Sequence, residues 1–165
     1  MTFKTLAAAA ALSLITLPVF AEIMIEDAYA RSASPIAKSG AAFMHIMNTG
    51  DTDDQLIDVF TDAARVTQLH THIMDGAIAN MVHVEEGFTI PAGGAAILER
   101  GGKHVMMMGL NGPFVDGEAI TVTLVFEHAG EITLDILIDL ERVPEEGMQH
   151  MDGMNHTDMG DMSGD

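Results

Sequence analysis

The stretch ITVTLVFEHAGEITLDILIDL, residues 120–140, decides the fold class. Ile132, Leu134, Ile136, Ile138 and Leu140 recur at every second position, with Thr133, Asp135 and Asp139 between them. Successive side chains of a strand point to opposite faces, so this is the pattern of a half-buried strand. Ile120, Val122, Leu124 and Phe126 repeat it, and Glu127-His128-Ala129-Gly130-Glu131 separates the two runs as a turn, so the spacing predicts a hairpin. Working outward, further strands are expected at 22–28, 41–47, 55–60, 65–73, 81–84, 95–98 and 104–108. They are punctuated by Asn48-Thr49-Gly50-Asp51, Pro91-Ala92-Gly93-Gly94, Gly101-Gly102 and Asn111-Gly112-Pro113. Short strands at such intervals imply an antiparallel all-β sandwich or barrel. Only 62–65 and 106–110 invite a helical turn.

Composition narrows the chemistry. Seven Lys+Arg against 25 Asp+Glu give a formal net charge of -18 over 165 residues. Such a surface cannot neutralise phosphates, so nucleic acid is excluded as a partner. The sequence has no Cys, which rules out disulfides, thiolate metal sites, iron–sulfur clusters and Cys nucleophiles. Any metal must be held by His, Met, carboxylate or backbone, and the chain carries 14 Met and 8 His beside no Trp and one Tyr.

The strand period places these residues. His70 and His72 share a face, as do Met81 and His83, and as do His104, Met106 and Met108. Three strands thus each bring a ligand-capable pair, with Met74 and Asp75 in the following loop as rim. Thioether sulfur is a soft donor suited to Cu(I), whereas Zn favours thiolate, imidazole and carboxylate and Ca or Mg oxygen. A blue-copper electron-transfer centre needs a Cys thiolate, which is missing, so these donors argue for a copper carrier and against a redox centre. Metal-assisted hydrolysis wants a Lewis-acidic ion with an open water position and a base, so an enzyme is not expected. Met44, Met47 and Met107 read as packing residues, and His45, His83 and His128 as surface or supporting groups.

The ends of the chain read differently from its body. Lys4, the apolar run over 6–20 and the small residues of Val19-Phe20-Ala21 have the form of a signal peptide, residues 1–21, cut after Ala21. About 15 apolar residues are too few for a spanning helix, so export without stable membrane insertion is expected. Residues 144–165 form a tail whose last part, GMQHMDGMNHTDMGDMSGD, has no Val, Ile, Leu or aromatic residue and is expected to be disordered. It holds Met148, His150, Met151, Met154, His156, Met159 and Met162, a composition that signals metal binding. Between the ends, 22–143 is expected to be one β domain, and a monomer.

The segment 70–110 resembles the PCu(A)C family of periplasmic copper chaperones. That family's pattern is a His, ten residues, a Met, about 21 or 22 residues, then His-x-Met. Here His70 is followed by ten residues and Met81, then 22 residues and His104-Val105-Met106. Ile90-Pro91-Ala92-Gly93-Gly94 and the run GGKHVMMMGL over 101–110 also resemble the family. The resemblance implies a cupredoxin-like Greek-key β-barrel or sandwich binding one Cu(I) through His70, Met81, His104 and Met106. His72 falls where members carry a Met or His shortly after the first ligand and competes with His70 for that role. The resemblance further implies delivery of copper to the copper-centre subunits of cytochrome c oxidase or to another copper carrier. A thiol oxidoreductase would collaborate, because a Cys-free chain cannot reduce acceptor cysteines. The tail resembles extensions that supply extra copper, including Cu(II). The alternative is a periplasmic copper buffer without dedicated delivery.

Overall fold

The computed structural model describes residues 23–76 and 78–143. The signal segment and tail expected from the sequence lie outside the described residues. Ten strands succeed one another: β1 (Ile23–Ser32), β2 (Ser39–Asn48), β3 (Asp54–Phe60), β4 (Ala64–Asp75), β5 (Ile78–His83), β6 (Phe88–Ile90), β7 (Ala95–Leu98), β8 (His104–Leu110), β9 (Ala119–Phe126) and β10 (Gly130–Ile138). No helix occurs among the described residues, so the all-β expectation holds. Residues 106–110, expected to favour a helical turn, belong to β8, because hydrogen bonding to β4 on one side and β2 on the other overrides local preference.

The strands form one sheet in the order β5-β4-β8-β2-β1-β10-β9-β3-β6, with β7 also paired to β2. Pairing is antiparallel except between β1 and β10, where Tyr29 and Ala30 lie beside Leu137 and Ile138. An extra residue in β1 between Glu26 and Tyr29 turns that strand from β2 alone toward both neighbours. Asp27 adopts a left-handed φ of 51° there, which a short polar side chain tolerates. The hairpin expected from residues 120–140 is present as β9 and β10, with Gly130 opposite Phe126 and φ of 77° at Gly130, where a Cβ would be strained.

The apolar face of the sheet curls around one core. Ala30, Met44, Ile46, Leu56, Leu69, Ile90, Leu98, Val105, Met107, Leu124 and Ile136 belong to a single buried cluster, so strands far apart in the sheet order face one another across it. This is the cupredoxin-like sandwich expected from the sequence. Two buried polar residues pin its turns. Asp54 accepts the backbone N–H of Gln55 at 2.7 Å, His128 at 2.9 Å and Ala129 at 3.0 Å, which ties the β9–β10 turn to β3. Asn48 donates to the carbonyls of Thr52 at 2.8 Å and Ile90 at 3.1 Å, and its side-chain oxygen accepts Gly50 N–H at 3.0 Å.

A detail of β2 positions the site. Its first half pairs with β8 (Ser39 to Ala42 against Met108 to Val105), and its second half with β7 (Met44 to Met47 against Leu98 to Ala95). Both partners lie on the same side of β2, one after the other, so the short β7–β8 connection over 99–103 must sit beside the first residue of β8, His104. Hydrogen bonds from Glu99 N–H to the Lys103 carbonyl (2.8 Å) and from Gly102 N–H to the Glu99 carbonyl (3.1 Å) hold that loop tight.

Candidate metal centre

Strand β4 lies between β5 and β8, and their register collects the imidazoles and thioethers on one face. His70 stands opposite His83 on β5 and His104 on β8, His72 opposite Met81, and Gln68 opposite Met106. Directly opposed residues point the same way, so His70, His72, Met81, His83, His104 and Met106 share a face. The alternate residues of the same strands, Leu69, Val105 and Met107, point into the core. The site therefore sits on the back of the core-forming sheet, on a rigid support.

The ring centroids of His72 and His104 are 5.3 Å apart, those of His70 and His104 5.9 Å, and those of His70 and His83 5.6 Å. Although His104 lies on the outward face, it is only 3% exposed, because the 99–103 loop covers it and Phe43 of β2 packs alongside at 6.2 Å between centroids. The Gly102 carbonyl faces Nδ1 of His104 at 3.0 Å and Nδ1 of His72 at 3.4 Å. As a carbonyl can only accept, it fixes the proton of His104 on Nδ1 and leaves Nε2 with a free lone pair. His70 differs: its Nε2 is 3.0 Å from the Gln68 side-chain oxygen, while its Nδ1 is buried and has no hydrogen-bond partner. An orphaned buried imidazole nitrogen is uncommon, and its lone pair suits a Lewis acid.

Electrostatics favour neutral rings. Burial pushes the pKa of His104 down, opposed by the Gly102 carbonyl and reinforced by His72. Burial is also the main cause that lowers His70, with His104, His83 and His72 adding to it. A metal requires the unprotonated ring, so both shifts favour ligation.

Beside these residues opens a cavity of about 500 Å³. It is lined by His72, Met81, His104 and Met106 together with Arg31, Gly40, Phe43 and Arg100. Met81 is 47% exposed, so the sulfur of β5 is reachable from solvent. Gly40 is required for its closeness: a Cβ there would lie 2.8 Å from the Phe114 ring and 3.0 Å from the Arg31 carbonyl. Among the described residues no three His, Asp or Glu side chains are grouped to hold a metal ion by themselves. An ion on this face would have to draw on the sulfurs.

All five expected barrel residues thus meet on one face: His72, Met81, His104 and Met106 around the cavity, and His70 next to them. The expected tail ligands Met148, His150, Met151, Met154, His156, Met159 and Met162 lie outside the described residues. Met44 and Met107 are fully buried, as packing residues should be. Met47 corrects the expectation: it is 37% exposed, since position 47 falls on the outward side of β2 next to buried Ile46. His83 is exposed yet adjoins His70, and Met74 lies on the same face beyond His72. The Gly102 carbonyl and the two arginines went unseen in the sequence. Gly101-Gly102 marked a turn there, but nothing local signals what its carbonyl accepts, and Arg31 comes from a distant strand.

The LpqE-like family, described as "Putative lipoprotein LpqE-like", matches residues 23–138. A curated relative, "Putative lipoprotein Lxx21020" of Leifsonia xyli subsp. xyli, is 38% identical over 86 residues, 52% of each chain, so the match spans about half of that relative's length. Among solved structures, the copper-bound PCuAC domain from PmoF2 superposes with a TM-score of 0.60 at 25% identity, over 76% of this chain and 99% of that one. The apo PCuAC domain from PmoF1 gives 0.61 at 26%, over 73% and 96%. The Cu(I) form of DR1885 from Deinococcus radiodurans gives 0.59 at 30%, over 76% and 80%.

Proposed function

We propose, from the premise that the chain belongs to the LpqE-like family and shares the fold of the PCuAC domains, that it is an exported copper chaperone whose cargo is Cu(I). The observation that carries this reading is the convergence of imidazole and thioether groups on the β5-β4-β8 face, with the His70 Nδ1 buried and unpartnered. Cu(I) suits this mixed soft set, and a Cys-free chain has no stronger soft donor to offer. We assign His70, Met81, His104 and Met106 as the ligands, and His72 as the cavity-lining imidazole that orients or receives the ion.

The residues explain capture and release together. His104 is held by the Gly102 carbonyl with its Nε2 lone pair free, so no ring rotation is needed when copper arrives. Neutral imidazoles and thioethers carry no charge, so the site gains nothing from ion pairing and yields its cargo to an acceptor with thiolates. The exposed Met81 is the ligand an incoming donor displaces first. The relatives' description as lipoproteins and the leader-like segment 1–21 support export to the cell envelope, and we place the chain in the periplasm. Delivery to the copper centres of cytochrome c oxidase, aided by a thiol oxidoreductase, is what the resemblance of 70–110 supports. The tail residues Met148 to Met162 would gather further copper, with His150 and His156 suited to Cu(II).

Anaerobic Cu(I) titration of a chain ending at Val143, against a chromogenic Cu(I) chelator, tests the assignment. One equivalent is expected, lost in the His104→Ala/Met106→Ala double variant. Unchanged binding in that variant would overturn it. Transfer to a soluble oxidase domain bearing a thiolate copper centre tests delivery, and retention of copper in the presence of that acceptor would favour a buffer.

A further inference from the structure

Among the described residues, the cavity beside the His/Met face is lined by two arginines and by no Asp or Glu, in a chain with 25 Asp+Glu against seven Lys+Arg. Arg31 Nη1 donates to the Arg142 carbonyl at 3.0 Å and Arg31 Nη2 to the Leu140 carbonyl at 3.5 Å, while Arg100 Nη1 donates to the same Arg142 carbonyl at 3.4 Å. One shared acceptor therefore holds these two Nη1 atoms no more than about 6.4 Å apart, a separation at which like charges repel. Among the described residues the only ion pair is that of Arg142 with Asp27, so neither cavity arginine meets a carboxylate. Two cations side by side without a counter-charge, where acidic residues outnumber basic ones more than three to one, depart from the pairing that the composition makes easy. Such departures concentrate at functional sites.

The donors left over define the ligand. A guanidinium has five N–H donors, of which Arg31 uses two and Arg100 one on these carbonyls. A planar fork of N–H groups matches the two oxygens of a carboxylate, and two forks match two carboxylates. Ala33, Ala41 and Phe43 also line the cavity and offer apolar surface to a carbon skeleton, which inorganic phosphate would leave uncovered. A volume of about 500 Å³ is that of a small-molecule site.

We propose that this cavity binds a small organic dicarboxylate, held by Arg31 and Arg100 next to His72, Met81, His104 and Met106. The ligand bears on the cargo. Cu(I) among uncharged imidazoles and thioethers keeps its positive charge uncompensated, and the arginines add two more charges around the same cavity. A dicarboxylate offsets them, so the anion and Cu(I) each strengthen the binding of the other by the same factor. That coupling rests on the reading of the face as a Cu(I) site; the anion site does not.

The probe is succinate, added to the metal-free full chain and followed by isothermal calorimetry at an ionic strength of about 0.1 M, where screening confines charge effects to about 10 Å. Saturable binding at one site is expected, absent for the uncharged succinamide and weaker for inorganic phosphate. Arg31→Gln and Arg100→Gln should each weaken succinate about tenfold or more, as loss of a charged hydrogen bond does. Arg100 is exposed, so its replacement leaves the core untouched and is informative even if Arg31→Gln disturbs the fold. Arg65→Gln removes a positive charge that does not line the cavity and should weaken succinate less than about twofold. No saturation up to about 10 mM, beyond the millimolar range of weak binding, would overturn the proposal. So would phosphate binding as tightly as succinate, or an equal loss from Arg65→Gln and Arg100→Gln. Cu(I) competition titration with and without succinate reads the coupling: copper should bind about fivefold or more tighter in wild type and be unaffected in Arg100→Gln. Succinate binding that leaves Cu(I) affinity unchanged would refute the coupling, whereas a protein that takes succinate and no Cu(I) would refute the copper reading and keep the anion site.

Discussion

Replacing His70 and His72 in turn separates two imidazoles that sit two residues apart on one face. The Nδ1 of His70 is buried without a partner, whereas that of His72 faces the Gly102 carbonyl at 3.4 Å and its ring lines the cavity. Removing a group that only orients a metal ligand costs about 10–100-fold in affinity. Removing a ligand itself must cost at least the upper end, so His70→Ala should weaken Cu(I) binding by about 100-fold or more, which is about 2.7 kcal/mol or more. His72→Ala should cost about tenfold or less, near the lower end of the orienting range. Anaerobic competition against a Cu(I) chelator at pH 7.5, on chains ending at Val143 so that the tail does not compensate, reads both. Circular dichroism and melting of the apo variants verify that the sheet is intact. A larger loss from His72→Ala than from His70→Ala would refute the assignment of His70 and move the ligand role two residues along β4.

Neighbouring methionines of β8 should behave oppositely. Met107→Ala, in the core, should cost about 2–5 kcal/mol in urea unfolding, while Met106→Ala should cost about 1 kcal/mol or less and act on copper affinity. Asp54→Ala leaves three backbone donors, Gln55 of β3 and His128 and Ala129 of the β9–β10 turn, without their acceptor and should destabilise by about 2–4 kcal/mol, with Asp54→Asn recovering part of it. Burial holds the pKa of His104 below its ordinary 6.5, so under that pH the unfolded chain binds more protons than the folded one. Stability of the apo protein is therefore whole above pH 6.5, falls as pH drops from 6.5 toward the folded-state value, and levels off below it. A urea-midpoint series from pH 8 to 5 should show this fall in wild type and a smaller one in His104→Gln.

The residues that alternate along β10 and β9 disclosed the sandwich because each strand exposes one face, and two-residue periodicity survives whatever the partner strands are. The same parity placed His70, His72, Met81, His104 and Met106 on common faces before their register was known. Register itself was not legible: that His70 lies opposite both His83 and His104 depends on which strands flank β4. The parallel pairing of β1 with β10 joins the two ends of the domain and leaves no local trace. Strand β6 gives no periodic signal, because Phe88-Thr89-Ile90 is three residues long between Gly87 and Pro91. The outward position of Met47 is not legible, because apolar character does not say which side of β2 a methionine takes. The pairing of the two cavity arginines leaves no local sign, because Arg31 and Arg100 meet only where β1 and the 99–103 loop converge on Arg142.

X-ray absorption of the Cu(I)-loaded chain ending at Val143 tests the central claim most directly, since it counts donors without assuming which residues supply them. Two sulfur and two nitrogen neighbours, with the sulfur contribution reduced by half in Met81→Ala, are expected. A spectrum with nitrogen or oxygen neighbours alone, or one unmoved by Met81→Ala, would contradict a copper site built across β4, β5 and β8.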